Sequence, residues 1–185
     1  MEDFNPWQIK GEKAIYRNNW IAVTEYDVIN PSGGKGIYGK VHFQNTAVGV
    51  VVLDDENNTY LVGQYRFPLN AYSWEIPEGG AAADADPQAE CERELLEETG
   101  LKANHWQRIL KMHLSNSVSD ELAFIYLATG LSQHAASPEE TEALTIKKMP
   151  FEEAYQMVLR GHITDSMSVA AILKVKILLT EAGTK

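Results

Sequence analysis

The chain has 185 residues, 44% of them hydrophobic and 23% charged, enough to bury one full core in a soluble globular protein. Its formal charge is -10, and the absence of any basic patch excludes non-specific binding to nucleic acid and means that an anionic substrate needs cations to enter. The single cysteine, Cys91, excludes an internal disulfide framework and a cysteine zinc site, and it reads as a small packing residue. Met1–Trp7 has neither a positive start nor an apolar run, and no later segment reaches membrane length, so no membrane association and a cytoplasmic location are expected.

In chain order, residues 13–29 alternate weakly, with Ile15, Trp20, Ile21, Val23, Tyr26 and Val28 spaced by polar residues. Two strands follow from that spacing, and Pro31-Ser32-Gly33-Gly34 turns the chain back into a third, Ile37–Phe43. Residues 1–44 thus form a small antiparallel unit with too little core to stand alone, so it must pack on the rest of the chain, on a second copy, or on both. Ala47–Leu53 is a continuous apolar run of the kind found in strands buried on both faces, with a turn at 54–58. Tyr60–Arg66 pairs back, and Tyr72–Ile76 leads into a loop, Glu78-Gly79-Gly80, where glycine lets a ligand approach the backbone.

A helix then runs from Pro87, capped by Asp86, to a left-handed stop at Gly100. Glu90, Glu94, Glu97 and Glu98 fall within roughly a third of its circumference, at about 100° per residue. Such a stripe repels itself by a few tenths of a kcal/mol per i,i+4 pair, and its last turn also faces the unfavourable end of the helix dipole. A solvated acidic face is the ordinary meaning of a charge run. Hard oxygen donors at this spacing, beside a main-chain carbonyl in the preceding loop, instead suit Mg2+ or Mn2+ acting with a phosphate.

The stretch resembles the Nudix box, G-x5-E-x7-R-E-U-x-E-E-x-G-U, where U is aliphatic: Gly79, Arg93, Glu94, Leu95, Glu97, Glu98, Gly100 and Leu101 fall on fixed positions. The first glutamate of the box, which in the family supports the motif arginine and the loop, is Ala85 here, flanked by Asp84 and Asp86.

Beyond the helix, Trp106–His113 and Ala123–Ala128 read as strands around a polar loop at 115–121. A second polar loop covers 132–142, followed by a short strand, Leu144–Met149, and helices at Phe151–Leu159 and Ser166–Leu179. The order matches a Nudix-type α/β/α sandwich with a mixed sheet over 45–185, plus the small antiparallel β unit over 1–44. Gln64–Pro68, Trp74–Pro77, Ser119–Glu121 and Gly161–Ser166 are similar to the ADP-ribose pyrophosphatase branch, which also hydrolyses other nucleoside diphosphate sugars.

That resemblance implies Mg2+-dependent hydrolysis, with Mn2+ as a substitute, of ADP-ribose to AMP and ribose 5-phosphate, GDP-sugars being further substrates. It places metal ligands at Glu94, Glu98 and the Glu78 carbonyl, with Glu97 at the same cluster. It also implies a loop base at Glu142, with Glu140 as the alternative. Arg66 is expected to clamp a phosphate through its planar fork, and Glu75 to contact the ribose or stand behind the site. Trp20 and Tyr38 are the nearest matches to two aromatics that sandwich the base, and the first 44 residues are expected to make a homodimer that completes the nucleoside pocket. The five histidines show no metal spacing. A nucleoside triphosphate pyrophosphatase and a non-catalytic ADP-ribose sensor are the alternatives; retention of Glu94, Glu97 and Glu98 speaks against the sensor.

Overall fold

The structure, a computed structural model, describes residues 4–135 and 143–183, which divide into two compact units, 4–45 with 113–121 and 46–112 with 122–183. In the first unit β1 (Gln8–Arg17), β2 (Ile21–Ile29) and β3 (Lys35–Phe43) form an antiparallel sheet. Asn18 and Asn30 build its two turns, each accepting backbone N–H groups from residues two to four further on. Residues 113–121, read from the sequence as a connection between later strands, belong to this unit because the free edge of β3 takes their backbone. The Val41 N–H donates to the Val118 carbonyl at 2.8 Å, and the Asp120 N–H donates to the Val41 carbonyl at 3.2 Å.

Asp120 holds this loop by its side chain as well. Burial works to raise its carboxyl, but hydrogen bonds from Lys40 (2.8 Å), His42 (2.7 Å) and the Phe43 N–H (3.1 Å) outweigh that and lower it to about 2. Because the folded value lies below the unfolded one, the linked stability is present above about pH 4 and is lost as pH falls toward 2. Asp120→Asn should therefore flatten the fall in stability over that window in acid unfolding curves, by less than about 1 kcal/mol because the pair is partly solvated.

The second unit holds β4 (Asn45–Leu53), β5 (Asn58–Arg66), β6 (Ala71–Glu75), β7 (Glu78–Ala82), β8 (Leu101–His113), β9 (Leu122–Gln133) and β10 (Thr145–Pro150). Two sheets result, in the orders β10-β5-β6 and β7-β4-β9-β8; the first is antiparallel, while β4 and β9 run parallel. The helices are α1 (Pro87–Thr99), α2 (Phe151–Leu159) and α3 (Ser166–Gly183). β4 is buried on both faces, as its apolar run requires. Val48, Val50 and Val52 pack with Ala81, Cys91 and Leu95 beneath α1. The opposite face meets α3, where a Cβ on Gly49 would come within 2.9 Å of Met167 Cε. Burying a side chain such as Leu95 stabilises this arrangement by roughly 1.5 to 3 kcal/mol. The Nudix-type α/β fold expected from the sequence is present, with its strands divided between two sheets.

Candidate active site

Helix α1 begins and ends where expected. The Asp86 carboxylate accepts the Gln88 N–H at 3.1 Å, Pro87 occupies the first turn, and Gly100 (φ 71°) closes the helix with its N–H on the Leu96 carbonyl. Cys91 and Leu95 fix its rotation by facing the core at 0% exposure, and this turns the glutamates toward β7. The stripe is not a solvated face: Glu98 is 3% exposed and accepts the Glu78 N–H at 3.1 Å. Burial also pushes the Cys91 thiol up, with Glu94, Glu92 and Glu98 adding to the shift, so Cys91 stays a packing residue.

Arg93 organises the other carboxylates. Its Nε donates to Glu90 at 3.0 Å, Nη2 to Glu94 at 2.7 Å and Nη1 to Glu97 at 2.5 Å. Burial works to lower its guanidinium, but these pairings raise it. Position 85 carries no carboxylate here and Asp86 is engaged as the helix cap, so Glu90, Glu94 and Glu97 of the helix itself hold the arginine.

Glu78-Gly79-Gly80, expected as a loop, is the start of strand β7, because it pairs beside β4. Gly79 makes a close approach: a Cβ there would lie 2.2 Å from the Glu94 carboxyl. The missing side chain seats Glu94 directly on the strand.

Across from this, strand alternation puts Gln64, Arg66 and Glu75 on one face of the β5–β6 pair. Arg66 Nη2 donates to Glu75 at 2.6 Å and to Glu78 at 3.0 Å, while Nε donates to both Glu75 oxygens at 3.0 and 3.1 Å. Burial lowers the Arg66 guanidinium, but Glu75, Glu78 and Asp165 raise it further. Glu75 is only 2% exposed, and its oxygens accept from Arg66 and Gln64, which is the place behind the site that was one of the two expected for it.

Two groups here escaped the sequence reading. The Glu78 side chain, expected to contribute only its carbonyl, carries a buried Oε2 without a hydrogen-bond partner. Burial, then Asp165 and Glu75, push its carboxyl well up, against the pull of Arg66. Asp165 accepts the Ser168 N–H at 2.7 Å at the start of α3, and Ser168 Oγ accepts the Ile76 N–H at 2.9 Å, which ties α3 to the strand carrying the acids. The sequence signal for Asp165 was its place as a helix cap in the matched Gly161–Ser166 segment.

Among the described residues no three acidic, imidazole or thiol groups already converge as a cation site. The donor set nevertheless fits a hard divalent cation. It is all oxygen, and it is held apart by Arg93 rather than neutralised in the core. Glu140 and Glu142 lie outside the described residues.

Trp20 and Tyr38 are both in the first unit. Trp20 sits at the β1–β2 turn, 66% exposed. The Tyr38 hydroxyl donates to the Ser117 carbonyl at 2.6 Å, and its ring meets Trp7 edge-on. Tyr26 pairs with Tyr38 and Ile21 with Phe43, so Trp20 is six residues, about 20 Å of strand, from the position of Tyr38, and both rings of one chain cannot lie on one base.

Comparison with known proteins accords with this geometry. The NUDIX domain model matches residues 44–168. An ADP-ribose pyrophosphatase of Mycobacterium tuberculosis (strain ATCC 25618 / H37Rv) is 35% identical over 158 residues, 83% of this chain and 76% of that protein. A GDP-mannose pyrophosphatase of Yersinia enterocolitica is 24% identical over 169 residues, 84% of this chain and 87% of that one. A crystal structure of an ADP compounds hydrolase superimposes with a TM-score of 0.87 at 20% identity, covering 99% of both chains. With the box residues of α1 gathered beside β7 and the family model spanning most of the sequence, this chain belongs to the NUDIX family and is a Nudix hydrolase.

Proposed function

We propose that the protein hydrolyses the diphosphate bond of ADP-ribose, giving AMP and ribose 5-phosphate, with GDP-sugars as further substrates and Mg2+ as the cation. The observation that carries this reading is the placement of Glu94 and Glu98 against β7 with Arg66 on the neighbouring strands, so that carboxylates and a phosphate-binding fork face one region of the second unit. Glu94, Glu98 and the Glu78 carbonyl would hold the cation, with Glu97 beside them; when bound, it neutralises the diphosphate and lowers the pKa of the attacking water. Arg66 orients a phosphate through the Nη1 edge that its two carboxylate partners leave free. Glu142 or Glu140 is the proposed base. The names of the two relatives support both the adenosine and the guanosine substrate.

The test is a panel of nucleoside diphosphate sugars and nucleoside triphosphates, reading phosphate released after phosphatase treatment. ADP-ribose should lead with Mg2+ or Mn2+, and excess EDTA should abolish turnover. Full activity in EDTA would remove the mechanism, and preference for triphosphates would replace the substrate class.

Trp20 is the proposed base-stacking residue. Since Trp20 and Tyr38 of one chain are too far apart to enclose one ring, a sandwich formed by both takes one residue from each of two copies, and the proposed assembly is a homodimer. Lost stacking of about 1 to 3 kcal/mol means that Trp20→Ala should raise the KM for ADP-ribose by roughly one to two orders of magnitude. Elution of the active wild type as a monomer on a sizing column, or an unchanged KM in the variant, would take the first unit out of base binding.

A further inference from the structure

Glu78 touches both functional parts of the second unit by different atoms. Its main-chain N–H donates to Glu98 Oε2 at 3.1 Å, and its side-chain Oε1 accepts Arg66 Nη2 at 3.0 Å. Strand β7 is anchored just before it, where the Val50 N–H donates to the Pro77 carbonyl at 2.9 Å. The backbone end of Glu78 is therefore held by Pro77 and Glu98, and its carboxyl is carried to the guanidinium at a set distance.

What this does to Arg66 follows from counting donors. Nε is used by Glu75, and Nη2 is shared between Glu75 and Glu78. Glu75 alone would fix the plane of the fork along one edge but leave it able to swing about that edge. Glu78, approaching Nη2 from the strand that also contacts Glu98, removes that freedom, and among the described residues the two Nη1 hydrogens are left for a phosphate.

We propose that the Glu78 side chain is a positioning group for diphosphate binding: through Oε1 it fixes Arg66 relative to the glutamates of α1, so that the phosphate clamp and the cation ligands keep one spacing. This rests on the diphosphate reading of the site. It is separate from the carbonyl of the same residue, which any side chain at position 78 would retain.

The experiment uses Glu78→Met, which keeps the length of the side chain and the backbone but removes the Oε1 acceptor, in wild-type and Arg66→Ala backgrounds. Inorganic pyrophosphate is titrated calorimetrically into Mn2+-loaded protein, and Mn2+ affinity without pyrophosphate is read by electron paramagnetic resonance. The expected result is about tenfold weaker pyrophosphate binding in Glu78→Met, in line with the loss of a hydrogen bond from the charged guanidinium. Mn2+ affinity should stay within about twofold, and no further loss should occur when Arg66 is already alanine, the signature of coupled residues. An equal loss in both backgrounds would show that the carboxyl does not act through Arg66. A parallel fall in Mn2+ affinity would make the side chain a cation ligand instead, and a wild type that binds no pyrophosphate would overturn the clamp itself. Pyrophosphate binding needs no turnover, so a failure to hydrolyse ADP-ribose would leave this cycle readable.

Discussion

Replacing Glu98 by glutamine is expected to lower turnover by about 10²- to 10⁴-fold, which corresponds to roughly 3 to 5 kcal/mol of lost transition-state charge stabilisation. Glu98 is 3% exposed and stands in the last turn of α1, where a negative charge opposes the helix dipole and repels Glu94 four residues earlier. Removing the charge keeps the side-chain oxygen that accepts the Glu78 N–H, so thermal stability should stay level or rise while activity falls. Divergence of the two readouts separates a ligand from a structural residue. A variant with near wild-type kcat would move the cation site off this helix.

Gly79→Ala should have an effect of similar size by a different route. A Cβ at this position would lie 2.2 Å from both Cδ and Oε1 of Glu94 and 2.7 Å from Oε2, closer than any real contact. What must give way is the end of a flexible side chain rather than backbone, so the fold should survive with little change in unfolding temperature. Glu94, however, would be driven off the strand. The expected outcome is a folded protein with at least about 10²-fold lower kcat/KM, since a displacement near 1 Å in a reacting site already costs that much. Raising Mn2+ should recover part of the rate if the lesion is in cation binding. A Gly79→Ala enzyme of normal activity would show that Glu94 need not lie against β7.

Local chemistry made several elements legible before any packing was known. Asp86, Pro87 and Gly100 delimit α1 because caps and left-handed stops depend on residues within one turn of the helix end. The Ala47–Leu53 run identified a strand buried on both faces for a similar reason, since burial on two sides needs consecutive apolar residues. The conversion of Glu78-Gly79-Gly80 from expected loop to strand shows the limit: glycines read as a break, but pairing beside β4 supplies partners that local preference does not reveal.

By itself, the sequence determined the family, the order of elements and the carboxylate stripe, because each rests on residue type at fixed short spacing. Only the tertiary structure decided what those groups are doing. Gln64, Arg66 and Glu75 lie up to eleven residues apart in the chain and meet through the β5–β6 pairing, Glu78 reaches Arg66 from β7 in the other sheet, Asp165 arrives from the start of α3, and residues 113–121 join the first unit rather than the second. Arg93 gathers Glu90, Glu94 and Glu97, and Glu75 is a buried partner of Arg66. These are contests between charged groups for the same few donors in a poorly solvated space, and distance and burial settle them.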